Sequence, residues 1–356
     1  MRVGLVVEQL RRAVPGGIGT YARGLIQGLA QLGGEAPELL LLASRPQRRP
    51  DPLAALGPPV RASRLPGLLA SRAWHAGLVP EVGGLDLVHA VSVALPPTGP
   101  VPAVACVHDL AWRCLPETFP PRARRWHEAA LARTLSRARR LIVPSTATAD
   151  ALVRAGVAAG TVTVVEEGCD HLAPPDREAA RARLAQAGVE GPYLLSVGTM
   201  EPRKNLARLV QAFAQARPRL PEPWPLVVVG PRGWGPRLAA PPGVVLLGEA
   251  SAGELSGLYA AARCLAYVPL LEGWGLPAIE AMALGTPVVA SPMPSTAGQA
   301  LEVDPRDVGR MAEAIVAAST DEELRAHLVA RGRARASRLT WAEAARAHVE
   351  VWEEAA

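Results

Sequence analysis

Lys204 and Asn205 are the only lysine and the only asparagine in a chain of 356 residues, and they stand side by side in the stretch GTMEPRKN, 198–205. Basic side chains are otherwise arginine. With the abundance of Ala, Pro and Gly, that points to GC-rich coding DNA, which explains why lysine is scarce but not why one stands at 204. Arg203 beside Lys204 suits a diphosphate, because a guanidinium offers a planar fork and an ammonium a compact point charge. Asn205 is expected to cap the helix that follows, or to donate to a ligand. A second candidate is VPGGIGTYARGL, 14–25. Adjacent Gly16 and Gly17 permit positive φ and let a phosphate approach backbone N–H groups at a helix start, where the dipole adds positive charge. The spacing is neither GxGxxG nor Gly-Lys-Ser/Thr, so nicotinamide and P-loop readings lose ground. The third candidate is LEGWGLPAIEAMALGTPVVAS, 271–291, in which Glu272 and Glu280 flank a turn made of Gly273, Trp274, Gly275 and Leu276. That turn presents backbone N–H groups. A carboxylate accepts two or more hydrogen bonds at once, so one glutamate can grip sugar hydroxyls and the other ribose hydroxyls.

These residues need elements to hold them. Short apolar, β-branched runs alternate with helical patterns, as expected of parallel strands covered by helices on both faces. Strands are predicted at 2–8, 38–43, 86–91, 102–108, 140–145 and 161–166, with helices at 18–32, 121–138 and 146–156. From 168 to 192 the chain carries Pro174 and Pro175, which break structure, and Asp176, which can cap a short helix; the domain boundary is placed there. The alternation then restarts, with strands at 193–198, 225–230, 244–248, 264–269 and 287–291 and helices at 205–217, 251–262, 276–284 and 307–318. GTMEPRKN therefore follows a strand and precedes a helix. Ligands of doubly wound domains bind at the carboxyl ends of strands, and two such domains are expected to face each other across a cleft. The Pro- and Arg-rich segment 45–66 reads as a mobile excursion, and 341–356 as an amphipathic helix that packs back on the first domain.

Composition narrows the class. Hydrophobic residues make up 49% and charged residues 20%, which is enough apolar surface for two globular domains. A formal net charge of +5, spread along the chain apart from an arginine cluster at 122–140, does not call for nucleic acid. That cluster is either a surface for anionic lipid headgroups or a solvated helix face. Cys106, Cys114, Cys169 and Cys264 share no CxxC spacing, which fits reduced thiols in a cytoplasmic protein and no zinc. No leader and no membrane-spanning run is expected.

The strings together resemble the retaining glycosyltransferases of family 4, enzymes of the GT-B fold that include bacterial mannosyltransferases. The resemblance covers most of the chain: GGIGTYARGL, VHDL (107–110), LIVPSTATADAL (141–152), GTMEPRKNLARLVQAF (198–213), LYAAARCLAYVPLLEGWGLPAIEAMALGTPVVAS (258–291) and EVDPRDVGRMAEAI (302–315). It implies an α/β chain of two Rossmann-like domains, 1–172 on the acceptor side and 173–340 binding the nucleotide sugar, with 341–356 crossing back. It implies that Gly16, Gly17, Arg203 and Lys204 meet the donor diphosphate, that Glu272 faces the donor sugar, that Glu280 binds ribose, and that His108 lies near the reacting sugar carbon. PSTAGQA (294–300) lacks the glutamate that the family often shows after proline, and EGCDH (167–171) replaces its NGVD pattern, which bears on acceptor and donor-sugar details. The implied reaction moves a hexose from a nucleotide-diphosphate sugar to a sugar, lipid-linked or small-molecule hydroxyl, with retention and without a metal or other cofactor. EPRKN points to GDP-mannose, with UDP-sugars as the alternative. Rival readings are a silent nucleotide-sugar-binding subunit, a PLP-dependent phosphorylase-like enzyme, which needs one lysine, and an epimerase.

Overall fold

The computed structural model describes residues 1–47, 50–75, 77–78 and 82–356. They form two compact units. The first contains Met1–Cys114, Pro120–Gly168 and Thr340–Ala356, and the second Leu115–Phe119 and Cys169–Leu339. The chain thus passes between units at Gly168–Cys169 and Leu339–Thr340, and five residues at 115–119 that the sequence assigned to the first domain belong to the second.

The first unit is built on a parallel sheet of β1 (Arg2–Val6), β2 (Glu38–Arg45), β3 (Val60–Pro66), β4 (Leu87–Ala90), β5 (Ala103–Cys106), β6 (Arg140–Val143) and β7 (Val162–Val164), in the order β3-β2-β1-β4-β5-β6-β7. The second is built on β8 (Leu194–Val197), β9 (Leu226–Val229), β10 (Val244–Gly248), β11 (Cys264–Tyr267), β12 (Val288–Ala290) and β13 (Leu301–Glu302), in the order β10-β9-β8-β11-β12-β13. The central strands are buried along their whole length, so both of their faces must be apolar, and that is why they read as unbroken hydrophobic runs. Each order reverses once, between β1 and β4 and between β8 and β11. At such a switch the loops leaving two neighbouring strands diverge and open a crevice.

Segment 45–66 is not simply an excursion, because β3 lies in it and pairs in parallel with β2 at the sheet edge. Its half-exposed face and terminal Pro66 suit an edge strand and conceal it from a search for apolar runs. A helix at Glu322–Ala336, capped by the Asp321 carboxylate, was also not anticipated. Asp176 does cap the Arg177–Gln186 helix.

The C-terminal helix, Trp341–Ala355, belongs to the first unit. Trp341 and Trp352 are fully buried there beside Leu25, Ile26 and Val351. It lies against the Gly16–Gln31 helix at Gly24 and Gly28. A Cβ on Gly24 would meet the Trp341 indole, and one on Gly28 would collide with the Trp341 carbonyl.

Candidate functional site

The loops 198–205 and 268–275 leave the carboxyl ends of β8 and β11, the two strands at the switch of the second unit. They are tied together. Leu270 N donates to the Arg203 carbonyl at 2.9 Å, and Arg203 Nη1 donates to the Leu271 carbonyl at 3.0 Å. Asn205 completes the join. Its Nδ2 donates to the carbonyls of Val268 (3.0 Å) and Pro305 (2.7 Å), and its Oδ1 accepts from Arg208 Nη1 (2.9 Å). It stands at the N-cap of the next helix but, of the two roles expected from the sequence, makes no side-chain cap bond; it is buried with φ 60. Asn is one of the few side chains that visit this left-handed region readily, and it also carries the two donors that the carbonyls need.

The tied loops gather five polar side chains. Lys204 Nζ lies 2.6 Å from Glu272 Oε1 and 2.8 Å from Tyr267 Oη, while Tyr267 donates to Glu272 Oε1 at 3.0 Å. Arg203 Nη1 meets the same Glu272 oxygen at 3.0 Å. Arg203 Nε and Nη2 grip Glu201 Oε1 at 3.1 and 2.9 Å. Burial opposes the charge on Glu272, but the Arg203 and Lys204 charges outweigh it and hold its carboxyl down at about 2. Burial dominates at Glu201 and raises its pKa despite the same two cations. Arg203 and Lys204, expected from the sequence to await a diphosphate, are therefore balanced by two carboxylates. Neither Glu201 nor Tyr267 was singled out beforehand. Tyrosine is scarce here, four in the chain, and a tyrosine ending a strand at the switch was the available signal.

Glu280 sits in the Leu276–Ala283 helix, which opens at Gly275 with φ 107. Its Oε1 pairs with His171 Nε2 at 3.1 Å and its Oε2 accepts from Tyr259 Oη at 2.8 Å. Its side chain is 9% exposed. The side chains of Trp274 and Leu276 are buried in the core with Tyr267, Ile279 and Met293. The Arg335 guanidinium lies over the Trp274 ring at 5.8 Å. The turn Gly273–Leu276 leads directly into this helix, whose first residue is Leu276. Ser295, where the family pattern carries glutamate, braces that turn: its Oγ donates to the Gly275 carbonyl at 3.0 Å and its N–H to the Trp274 carbonyl at 3.2 Å.

In the first unit, Gly16 and Gly17 are exposed at the start of the helix that follows β1, and Gly16 has φ 61 with open space where a Cβ would point. His108 lies two residues beyond β5. Its Nε2 donates to the Val91 carbonyl at 2.9 Å and its Nδ1 faces Glu167 Oε1 at 3.2 Å. Burial works against a charged ring, yet the Glu167 carboxylate prevails and raises the His108 pKa. With both nitrogens engaged, His108 is suited to act as a fixed cation rather than a proton shuttle. Of the arginine cluster, Arg122 and Arg125 are exposed on the Pro121–Leu135 helix, whereas Arg137, Arg139 and Arg140 bond to carbonyls of Leu95, Ala355 and Gly160. All four cysteines are free thiols. Among the described residues no helix is long and apolar enough to cross a membrane.

Two family models match: Glycosyltransferase Family 4 over residues 15–171 and Glycosyl transferases group 1 over 181–335. The chain is 31% identical over 258 residues to the O-antigen chain mannosyltransferase B of Escherichia coli, covering 67% of each chain. It is 32% identical to the phosphatidyl-myo-inositol mannosyltransferase of Mycobacterium tuberculosis over 50% of this chain and 51% of that one. The match to the D-inositol 3-phosphate glycosyltransferase of Rhodococcus jostii covers 43% of this chain and 37% of that one, at 35% identity. Among solved structures, HepE of Anabaena in complex with UDP and glucose matches with TM-score 0.76 at 20% identity over 99% of both chains. Sucrose-phosphate synthase of Thermosynechococcus elongatus matches with TM-score 0.70 at 22% identity, over 99% of this chain and 98% of that one. These two likenesses concern the fold, which is GT-B.

Proposed function

The chain belongs to the family 4 glycosyltransferases, and from that premise we propose that it moves a hexose from a nucleotide-diphosphate sugar to a hydroxyl acceptor, with retention at the anomeric carbon and without a metal. The observation that carries this reading is the convergence of Arg203, Lys204 and Glu272 at the β8/β11 switch. When a diphosphate arrives, it competes with Glu272 for the two cations. The leaving group then gains two positive charges held in place beforehand by Glu201, Tyr267 and Asn205, and charge stabilisation of this kind is usually the largest single contribution to catalysis. The displaced Glu272 carboxylate turns to the hydroxyls of the donor sugar. Glu280, set by Tyr259 and His171, accepts from ribose, and the backbone of Gly273–Leu276 and of Gly16 and Gly17 donates to the phosphates. His108, a fixed cation, positions the reacting sugar. Proton removal from the acceptor falls to the departing phosphate oxygen on the same face, which yields retention.

The relatives named mannosyltransferases, together with EPRKN, favour GDP-mannose as the donor, while the HepE complex with UDP makes a UDP-sugar the alternative. Exposed Arg122 and Arg125 favour a lipid-linked acceptor reached at the cytoplasmic membrane surface. The phosphorylase-like and silent-subunit alternatives are not favoured by these matches. Thermal-shift screening against GDP-, UDP-, dTDP- and ADP-sugars tests the donor, because a ligand that binds only the folded protein raises its melting temperature by mass action. GDP-mannose is expected to give the largest shift. No shift with any donor would sink the reading, and an inverted anomer seen by proton NMR of the product would sink retention.

A further inference from the structure

The core of the first unit holds a polar chain that the proposed reaction does not use. His89 of β4, Cys106 at the end of β5, Tyr21 of the Gly16–Gln31 helix, and His348 and Trp352 of the C-terminal helix are all buried, His89 and Trp352 completely. Trp352 Nε1 lies 2.8 Å from His89 Nδ1, and His89 Nε2 lies 3.2 Å from Cys106 Sγ. Cys106 Sγ lies 2.7 Å from Tyr21 Oη, Tyr21 Oη lies 2.6 Å from His348 Nε2, and His348 Nδ1 lies 2.6 Å from the Ala344 carbonyl.

The two ends fix every proton between them. An indole N–H only donates, so His89 Nδ1 must accept and the ring proton sits on Nε2, from which it goes to Cys106 Sγ. A carbonyl only accepts, so His348 carries its proton on Nδ1 and its bare Nε2 takes the Tyr21 hydroxyl proton. Tyr21 Oη then accepts the Cys106 S–H. All five bonds run one way, with every member neutral. Burial supports this: it lowers the pKa of both histidines, His348 to about 4, and raises those of Cys106 and Tyr21. His89, Cys106 and His348 have the residue types and closeness of a metal site. The Trp352 donor excludes that use, because a His89 that ligates through Nε2 would need its proton on Nδ1, where the indole N–H already points.

A buried polar chain costs stability unless all of it is satisfied, and this one is. One of its inner members touches the proposed site: the Tyr21 ring meets the His108 ring edge-on at 4.8 Å. His108 is otherwise faced by Glu167, Asp109 and the neutral His89 and His348. We propose that Tyr21 and His348 are positioning residues, through which the C-terminal helix sets the orientation of the His108 ring. His348 fixes the phenol, and the phenol ring fixes His108. The inference rests on the role given to His108 above.

Nitrogen-15 NMR of histidine-labelled wild-type protein at neutral pH tests the chain without any substitution. The expected result is His89 protonated on Nε2 alone, His348 on Nδ1 alone and His108 on both. His89 protonated on Nδ1, or a charged His348, would overturn the chain. Tyr21→Phe and His348→Leu are expected to lower kcat roughly tenfold or more with little change in donor KM, and to shift the His108 resonances. His348→Gln, whose amide oxygen can still accept from Tyr21, is expected to recover most of what His348→Leu loses. Wild-type kcat with unmoved His108 resonances in Tyr21→Phe would refute the positioning role. Full turnover by His108→Ala would instead remove the role of His108 itself, a result separate from the tautomer pattern.

Discussion

Glu272 is the residue on which the charges of the proposed donor site balance, since one of its oxygens meets Lys204, Arg203 and Tyr267 together. Its carboxyl is lowered from 4.5 to about 2, so the stability from these pairs is present above the unfolded value and is lost as pH falls through that window. The difference in urea midpoint between wild type and Glu272→Gln should therefore narrow as pH drops from about 4.5 to about 2; a gap that stays constant would contradict the pairing. The raised His108 works with the opposite sign, contributing below its unfolded value and fading as pH rises through its folded one. For Glu280→Ala, calorimetry should show weaker nucleotide binding, by about tenfold for one lost charged acceptor. Unchanged affinity would mean that Glu280 serves Tyr259 and His171 alone. The sequence singled out Glu272, Glu280, Arg203 and Lys204 as candidates. It could not find Tyr267, Tyr259, Glu201 or His171 as their partners, because those contacts depend on which loops the strand order brings together.

Among the elements, the loop after β8 and the Gly16–Gln31 helix each carry a constraint that a substitution can probe. Asn205 holds the loop by a left-handed backbone and two donors. Asn205→Ala should cost about 1–3 kcal/mol for the stranded carbonyls and roughly 1–2 kcal/mol for the backbone. Asn205→Gly keeps the backbone freedom and should be the milder change in a urea titration; equal losses would remove the backbone argument. On the helix, Gly28→Ala would drive a methyl group into the Trp341 carbonyl, which cannot move as a side chain can. It should destabilise the protein by about 1–3 kcal/mol, typical of overpacking, where alanine would otherwise favour a helix. A stabilised Gly28→Ala protein would show that the two helices do not meet as described. In the sequence, Gly24 and Gly28 read only as poor helix formers, since their purpose lies more than 300 positions away at Trp341.

At the scale of the molecule, two doubly wound units were legible because parallel central strands, buried on both faces, leave long apolar runs such as LVVV at 226–229. The return of the C-terminal helix to the first unit was legible from its amphipathic ending. Edge strand β3 was not, since half-exposed Arg61 and exposed Arg64 interrupt its pattern, and neither was the assignment of 115–119 to the second unit. Those are properties of pairing and contact, which no local period encodes. In the second unit, the place where strand order reverses holds the only lysine of the chain. Steady-state turnover of Lys204→Ala at saturating donor tests this most directly. A loss of about a hundredfold or more in kcat is expected, the scale of removing one charge donor from a leaving-group site, with an unchanged circular dichroism spectrum. Turnover near that of the wild type would contradict it.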